Sequence, residues 1–486
     1  MHILNFKSTF FILFLAACSC VNPSKEEKAG PVRIAMAETE ALVPEPVIVG
    51  ANRTEDYIDL LKGKKVGVVA NQTSVIFKED EGQDDSFHEQ DSRSKLEENG
   101  RSGDREMETG DGPGMPEHGS GDEVKIDGYS ARPVTQDGRQ GYGERKTKNE
   151  IIRTHYTHLV DSLLSLKVDI KKVFAPEHGF RGEADAGEKL KDGTDNRTGL
   201  PLISLYGKNR KPSAGQLQDL DVVLFDIQDV GVRFYTYIAT LQLVMEACAE
   251  NDVPIIVLDR PNPNGHYVDG PTMEAAHTGF LGMTQIPLVY GMTIGEYARM
   301  INEEGWLKDN KKADLTVIPL KNWNHCTDYN LPIRPSPNLP DDTAITLYPS
   351  LGLFEGTNIN AGRGTEFQFQ RYGASFLDST QYSFTYVPMP NFGSKNPKEE
   401  GKKCFGKDLS QNPRMHEVTL QWVIDAYTNS LDKSKVFNTK GFTKHAGTAA
   451  LQQQIEAGKT EKEIKETWQG DLEKFGKTRK KYLMYP

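Results

Sequence analysis

The sequence predicts an α/β fold, with a parallel β-sheet covered by helices on both faces, because two patterns alternate along it. Uninterrupted runs of Val, Ile and Leu predict strands buried on both faces, at residues 64–71, 171–175, 202–206, 222–227, 255–259 and 315–318. Apolar residues at helical spacing predict helices at residues 58–61, 157–164, 237–250 and 293–304. Buried strands that alternate with helices are typical of a parallel sheet in an α/β protein.

Two changes of pattern divide the chain. Residues 77–150 are dominated by Asp, Glu, Gly, Lys, Arg, Ser and Gln. Such a segment has too little apolar surface to offset its ordering entropy, so it is predicted to be a disordered insertion in a first domain over residues 51–330. Four prolines between residues 332 and 340 then indicate a rigid, non-helical passage. A smaller α+β domain is predicted over residues 331–486, with helices at 418–431 and after residue 460.

The N-terminus has the pattern of a targeting segment. Residues 10–15 form an apolar core that is too short to span a membrane as a mature helix. Leu15-Ala16-Ala17-Cys18 resembles a bacterial lipobox, which implies a signal peptide over residues 1–18 and lipidation of Cys18. Residues 19–50 would then tether an exported catalytic body to a bacterial membrane, on its periplasmic or cell-surface side. The alternative is a plain secretory signal with an incidental cysteine.

Charge and cysteine usage exclude some functions. The 486-residue chain has a net charge of −11 and no long basic run, so nucleic acid is not an expected partner. The remaining cysteines are scattered and show no Cys-x-x-Cys spacing, and Cys248 is predicted to lie in the core of a helix. No phosphate-binding glycine motif and no metal-ligand spacing occurs, so neither a cofactor nor a metal is expected.

A candidate site begins at Pro176-Glu177-His178-Gly179, which directly follows the predicted strand 171–175. The same tetrapeptide at residues 116–119 has no strand before it. Three other predicted strands also end in polar residues, and the carboxyl ends of parallel strands share one edge of a sheet. The polar residues at the four strand ends are Asn71, Gln72, Glu177, His178, Asp226, Gln228, Asp229, Asp259, Arg260 and Asn262.

Their chemistry is compatible with glycoside hydrolysis, which needs a protonated carboxyl and a second group that attacks or activates water. Glu177 is the candidate general acid, and His178 could orient it. A second catalytic role could fall to Asp226 or Asp229, although Asp229 could instead cap the following helix. Arg233 lies near these residues in the sequence, and Tyr235 and Tyr237 could form an aromatic floor for a sugar or simply pack within the protein.

The second domain adds Glu355, Asn358 and Arg363, which lie in glycine-rich segments that would allow close approach of a ligand. Arg363 is a candidate partner for a substrate carboxylate, because a guanidinium can pair with two oxygens at once. A glycine-rich turn with a solvated arginine is the alternative.

Five segments together resemble the bacterial exo-β-N-acetylmuramidases. They are Gly67–Thr73, Ala175–Gly182, Phe225–Tyr237, Asp259–Pro263 and Leu353–Asn358, and they occur in the same order. The resemblance implies a Rossmann-like domain, a smaller C-terminal domain and an active site between them. It implies release of N-acetylmuramic acid from non-reducing ends of peptidoglycan fragments, with Glu177 as the leading catalytic candidate. The lactyl carboxylate of that sugar would need a cation, which Arg363, Arg260 or Arg233 could supply.

The stereochemical course stays open, as do two other functions. Separation of the two carboxyl groups, about 5 Å for retention or ~6.5–9.5 Å for inversion, would decide the course, unless the N-acetyl group of the substrate is the nucleophile. Asp226, Asp229 and Asp259 are then candidates for orienting that group. A glycan-binding lipoprotein without turnover is one alternative function. An esterase or deacetylase is another, although no Gly-x-Ser-x-Gly elbow occurs.

Overall fold

A computed structural model describes residues 45–78, 141–146, 151–182 and 192–486. The predicted signal peptide, Cys18 and most of the tether and of the 77–150 insertion therefore lie outside the described residues. The strands are β1 (Lys65–Ala70), β2 (Val75–Lys78), β3 (Gly141–Lys146), β4 (Ile151–His158), β5 (Asp169–Ala175), β6 (Gly193–Thr194), β7 (Pro201–Ser204), β8 (Val222–Asp226), β9 (Ile255–Leu258), β10 (Leu315–Ile318), β11 (Arg371–Ala374), β12 (Phe384–Tyr386) and β13 (Cys404–Asp408).

The α-helices of the described ranges follow the same chain order. They are α1 (Thr54–Leu61), α2 (Leu159–Ser165), α3 (Ala214–Leu217), α4 (Tyr237–Glu250), α5 (Ile294–Glu303), α6 (Asp342–Leu351), α7 (Gln421–Thr428), α8 (Thr439–Ala446), α9 (Ala450–Glu456), α10 (Glu461–Glu466) and α11 (Gln469–Arg479).

The central sheet has seven strands in the order β10-β9-β8-β1-β5-β7-β6, and every pair is parallel except β6 with β7. Helices pack on both faces, with one apolar core on the side of α4 and α5 and another on the side of α1 and α2. The predicted α/β class is confirmed. Because all the predicted strands run in the same direction, β1, β5, β8 and β9 end at one edge, where the candidate residues lie.

The ends of the 77–150 range differ from the prediction. β2 and β3 both pair with β4 in a small antiparallel sheet, so Phe77, Lys78 and residues 141–146 belong to strands. The helix predicted at 157–164 starts later, at Leu159, because Thr157 and His158 complete β4. The His158 side chain accepts a hydrogen bond from the Val160 amide and thereby caps that helix.

The C-terminal domain contains α6 to α11 and the antiparallel sheet β11-β13-β12. The helix predicted at 418–431 is the shorter α7, and α6 was not predicted. One apolar core includes residues of both domains, among them Phe225 and Tyr237 of the first and Leu353 and Phe442 of the second. The two domains therefore share buried surface at their junction.

Two further features concern the helices of the described ranges. Cys248 is fully buried in α4, as predicted. None of the helices in the described ranges is long and apolar enough to cross a membrane.

Candidate active site

Glu177 lies in a tight turn at the carboxyl end of β5. The Gly179 amide donates to the Pro176 carbonyl at 3.0 Å, which closes the turn. His178 has a φ of 70°, in the left-handed region that glycine usually fills. Glu177 is half-buried, whereas the His178 side chain is almost completely buried. A strained residue in such a turn is typical of functional sites.

Two hydroxyl groups hold the Glu177 carboxylate. Thr236 Oγ1 donates to Glu177 Oε2 at 3.1 Å from the position just before α4. The Tyr206 phenol also hydrogen-bonds Glu177, and burial together with this carboxylate raises the pKa of Tyr206 to about 12. Sequence reasoning missed both residues. Tyr206 is the last residue of the strand predicted at 202–206, whose end was not considered, and Thr236 lies between two candidate tyrosines.

The C-terminal domain contributes an acid–base pair. Arg363 Nη1 donates to Glu355 Oε2 at 2.8 Å, and both side chains keep 22% of their surface exposed. Burial raises the pKa of Glu355, but the Arg363, Lys398 and His445 side chains outweigh it, so this pKa lies below its ordinary value. Glu355 is therefore ionised at neutral pH.

Tyr348, on α6, connects Glu177 with the segment that carries Glu355 and Arg363. The Tyr237 hydroxyl lies 3.5 Å from the Glu177 carbonyl, the Tyr237 ring packs on Tyr235, and the Tyr235 ring meets that of Tyr348 edge to face with centroids 6.0 Å apart. Burial raises the pKa of the Tyr348 phenol, and the carboxylates of Glu355 and Glu177 raise it further, while Arg363 lowers it. Glu177, Tyr348, Glu355 and Arg363 are all partly exposed, so solvent reaches this site, which we call the Glu177–Glu355 site. Nothing in the sequence indicated Tyr348, since it lies inside a helix that was not predicted.

Tyr235 and Tyr237 lie beside this site but are almost completely buried. Their rings meet edge to face, with centroids 4.8 Å apart, and the Tyr235 hydroxyl donates to the Pro335 carbonyl at 2.7 Å. Asn71 Nδ2 donates to the Tyr237 hydroxyl at 2.9 Å. The predicted aromatic floor is wrong in this conformation, because neither ring presents a face to solvent. Asn71 and the two tyrosines support the wall of the site instead.

Asp226 and Arg260 form a buried ion pair rather than a catalytic or binding group. Arg260 Nε and Nη2 donate to the two carboxylate oxygens at 2.6 and 2.8 Å, and neither side chain is more than 2% exposed. Burial alone would lower the pKa of Arg260, but the Asp226 carboxylate outweighs it and raises that pKa. With both oxygens bound and no solvent access, Asp226 does not reach a substrate.

Arg233 is also a structural residue. Its guanidinium has no exposed surface and donates to four backbone carbonyls, those of Pro271, Ile286, His445 and Ala446, at 2.7–3.0 Å. Burial lowers its pKa to about 9. It joins the last turn of α8 to the first domain, and the prediction that it binds a substrate carboxylate has no support from this position.

Asp259, Gln228 and Asn262 also have structural roles. Asp259 accepts hydrogen bonds from Gly295 N, at the start of α5, and from the hydroxyls of Thr293 and Tyr485. Burial raises its pKa to about 7. Gln228 and Asn262 donate to the carbonyls of Pro261 and Met292, which leaves both side chains buried in the loops behind the site.

Asp229 keeps one carboxylate oxygen without a partner. Its Oδ2 accepts hydrogen bonds from the Gly231 amide and the Tyr290 hydroxyl, whereas Oδ1 is buried and makes none. Burial raises the pKa of Asp229 to about 6. Of the three aspartates considered for a second catalytic role, only this one has an oxygen not engaged by protein. Its side chain is nevertheless closed off from solvent, with the residue only 3% exposed.

The last two candidates, Gln72 and Asn358, both donate hydrogen bonds to backbone carbonyls. Gln72 Nε2 donates to the carbonyls of Arg334 and Pro335, so it joins the end of β1 to the passage between the domains. Asn358 is exposed and donates to the Lys435 carbonyl at 2.8 Å. It lines a surface pocket of about 420 Å³ together with Lys398, Lys402 and Lys435. Neither this hydrogen bond nor this pocket brings Asn358 to the Glu177 carboxylate.

No cluster of three or more potential metal ligands occurs in the ranges that the structure describes. The fold and the site together define a class of protein. It is an α/β protein with one carboxyl group at the edge of a parallel sheet and a second carboxyl group, paired with a guanidinium, in a smaller C-terminal domain.

Comparisons with known proteins identify the family within this class. Family models described as the N-terminal and C-terminal parts of the exo-β-N-acetylmuramidase NamZ match residues 147–343 and 346–485. The chain is 39% identical over 339 residues to the peptidoglycan β-N-acetylmuramidase NamZ of Bacillus subtilis. The aligned region covers 65% of this chain and 80% of that protein. This chain therefore belongs to the NamZ family of exo-β-N-acetylmuramidases.

Solved structures agree with the fold. A DUF1343 family protein from Bacteroides fragilis is 35% identical and superimposes with a TM-score of 0.68, over 91% of this chain and 99% of that chain. A second DUF1343 family protein from the same organism has a TM-score of 0.62 at 23% identity, over 90% and 99% of the two chains, which supports the fold alone.

Proposed function

We propose that this protein is an exo-acting glycosidase that releases N-acetylmuramic acid from the non-reducing ends of peptidoglycan fragments, with Glu177 as its general acid. Membership of the NamZ family supports the activity. The observation that supports the role of Glu177 is its position, half-buried in a turn at the sheet edge and linked through Tyr237, Tyr235 and Tyr348 to the segment that carries the ionised Glu355. Two carboxyl groups in different environments are what glycoside hydrolysis requires.

In this mechanism Glu177 donates a proton to the glycosidic oxygen as its bond to the sugar breaks. The hydroxyls of Thr236 and Tyr206 fix the orientation of the carboxyl group. Glu355, whose negative charge the nearby cations maintain, stabilises the positive charge that develops on the sugar ring. This assigns Glu355 to catalysis, whereas the sequence had suggested substrate binding.

Arg363 is the proposed partner of the lactyl carboxylate. Of the three arginines that the sequence offered, Arg260 is bound to Asp226 and Arg233 to backbone carbonyls, both without solvent access. Arg363 is partly exposed at the Glu177–Glu355 site, and its contacts with Glu355 and with the Gly393 carbonyl use only some of the N–H donors on its two terminal nitrogens. A guanidinium with free donors can bind a carboxylate while it keeps its ion pair with Glu355.

The N-terminal sequence supports a proposal about location. The lipobox-like Leu15-Ala16-Ala17-Cys18 would be processed so that Cys18 carries the lipid. An anchor with more than one acyl chain would hold the protein stably on a bacterial membrane, with its catalytic body outside the cytoplasm. There it would meet peptidoglycan fragments.

The test is hydrolysis of a chromogenic N-acetylmuramide by the protein without its signal peptide, compared with Glu177→Gln. Glu177→Gln keeps the shape of the side chain but removes the acid, and kcat should fall by at least ~100-fold. Glu303→Gln on the exposed face of α5 is the matched control and should retain full activity. Equal cleavage by wild type and Glu177→Gln would remove Glu177 from the mechanism. Binding of the sugar without release by the wild type would show a glycan-binding protein instead.

A further inference from the structure

Exposed apolar side chains are concentrated beside the Glu177–Glu355 site. Seven large apolar residues of the described ranges are exposed, and four of them lie close together in the sequence. Phe367, Val387, Met389 and Phe392 are 40–61% exposed. We call these four residues the Phe367–Phe392 patch. Single exposed apolar residues are common, but a local group of them marks a binding surface.

Hydrogen bonds hold the two loops of the patch side by side. The Met389 amide donates to the Gly364 carbonyl at 2.8 Å, and Asn391 Nδ2 donates to the Thr365 carbonyl at 3.0 Å. Gly364 has a φ of 80°, and a Cβ there would approach the Met389 carbonyl to 2.7 Å. The close contact of these backbones therefore fixes the position of each loop relative to the other.

Phe367 is held in place by a cation. The Arg371 guanidinium lies over its ring, 4.0 Å from the centroid, and Arg371 is itself 9% exposed. Such a contact limits rotation of the ring and leaves part of its surface open to solvent. Phe367 is thus an aromatic group that is already ordered before a ligand arrives, which reduces the entropy cost of binding.

The patch is continuous with the proposed site. Arg363, which pairs with Glu355, lies in the same loop as Phe367, and its Nη2 approaches the Gly393 carbonyl at 3.4 Å. Gly393 directly follows Phe392. Asn338 Nδ2 also donates to the Gly393 carbonyl, at 2.7 Å, so this loop is attached to the passage between the domains.

We propose that the Phe367–Phe392 patch binds the glycan on the leaving-group side, that is, the sugars that follow the residue being released. The inference rests on the proposed function, because an exo-acting enzyme encloses one terminal sugar and the remaining chain must leave across a neighbouring surface. The C–H face of a pyranose ring is apolar and packs on aromatic rings, while its hydroxyls remain in water. Rigid aromatic groups beside the site suit this ligand, and the patch sets a preference for chains over single glycosides.

The test compares two substrates, a chromogenic N-acetylmuramide and a peptide-free tetrasaccharide with N-acetylmuramic acid at its non-reducing end. Phe392→Ala and Phe367→Ala should lower kcat/KM for the tetrasaccharide about 3- to 10-fold, mostly through KM. Their kcat/KM for the chromogenic monosaccharide, which has no following sugars, should stay within twofold of wild type. Phe392→Tyr, which keeps a ring, should retain tetrasaccharide activity.

Leu166→Ala is the matched control. Leu166 is 49% exposed at the end of α2, just before β5 begins, and therefore lies at the opposite edge of the sheet from Glu177. Leu166→Ala should leave kcat/KM unchanged for both substrates. Equal kcat/KM for the tetrasaccharide in wild type and Phe392→Ala would overturn the proposal. A concentration-dependent dimer in sedimentation that Phe392→Ala abolishes, with tetrasaccharide kinetics unchanged, would assign the patch to a second copy of the chain instead. Failure of the wild type on both substrates would refute the proposed function itself.

Discussion

Replacing Asp226 with Asn should lower the free energy of unfolding by about 3–5 kcal/mol, because the change leaves the Arg260 charge buried without a partner. Arg260 donates two short hydrogen bonds to the Asp226 carboxylate, and both side chains are buried away from solvent. Arg260→Met should cost about as much, since it leaves the Asp226 carboxylate unpaired. Burial of an unpaired charge, rather than loss of the attraction itself, is the main reason for these costs.

A double variant separates these effects. Asp226→Leu with Arg260→Met removes both charges, and the remaining loss is the Arg260 hydrogen bond to the Val75 carbonyl, worth about 1–3 kcal/mol. The double variant should therefore be more stable than either single variant, by about 1–3 kcal/mol. Urea unfolding followed by tryptophan fluorescence at pH 7 measures all four proteins, and kcat/KM on a chromogenic N-acetylmuramide is measured in parallel.

Asp226 has a structural role, as the buried partner of Arg260, and takes no part in the reaction. Whatever fraction of Asp226→Asn remains folded should keep the kcat of the wild type. A variant that unfolds at the urea midpoint of the wild type but has lost its activity would refute the assignment. Asp226 would then be a reacting group despite its burial.

Three further predictions concern other residues. Burial raises the pKa of Asp229 from 3.8 to about 6, so its stabilising effect is complete below pH 3.8 and is lost as the pH rises through 6. The stability of Asp229→Asn relative to wild type should therefore increase by about 2 kcal/mol between pH 4 and pH 7 in urea unfolding, and a pH-independent difference would contradict this. Arg363→Lys keeps the charge but loses the planar fork, so the preference for N-acetylmuramides over N-acetylglucosaminides should fall about tenfold, whereas an unchanged ratio would place the lactyl carboxylate elsewhere. Cys18→Ser should abolish incorporation of labelled palmitate and release the protein from the membrane fraction; continued labelling would rule out Cys18 as the lipidated residue.

Much of the central sheet could be predicted because its signal is local. Val222–Asp226 and Ile255–Leu258 are uninterrupted apolar runs, and α4 has the predicted bounds. The capping boxes at Thr293 and Thr460 are local features as well, since a hydroxyl and a glutamate three residues apart satisfy the first amides of a helix. The ends of the 77–150 segment were not, because β2 and β4 become strands only by pairing with each other across that segment.

The candidate site was predicted in part, for a related reason. The strand before Glu177 identified the correct edge of the sheet, and the glycine-rich segment identified Glu355 and Arg363. The sequence could not show which polar residues at that edge are turned inward. Asp226 pairs with Arg260, which is 34 positions away in the sequence, and Arg233 donates to a carbonyl at the end of α8, more than 200 positions away. Such partners decide whether a charged group reaches solvent, and they are not visible from neighbouring residues.

The sequence by itself determined the parallel strands of the central sheet and the helices between them, the edge of the sheet where polar residues gather and the family, because these depend on periodicity and on motifs of adjacent residues. Only the tertiary structure decided which acids remain open to a ligand, that Tyr206, Thr236 and Tyr348 complete the site, and that an apolar surface adjoins it. Burial and hydrogen bonding set the availability of each charged group, and both arise from contacts between segments that are distant in the chain.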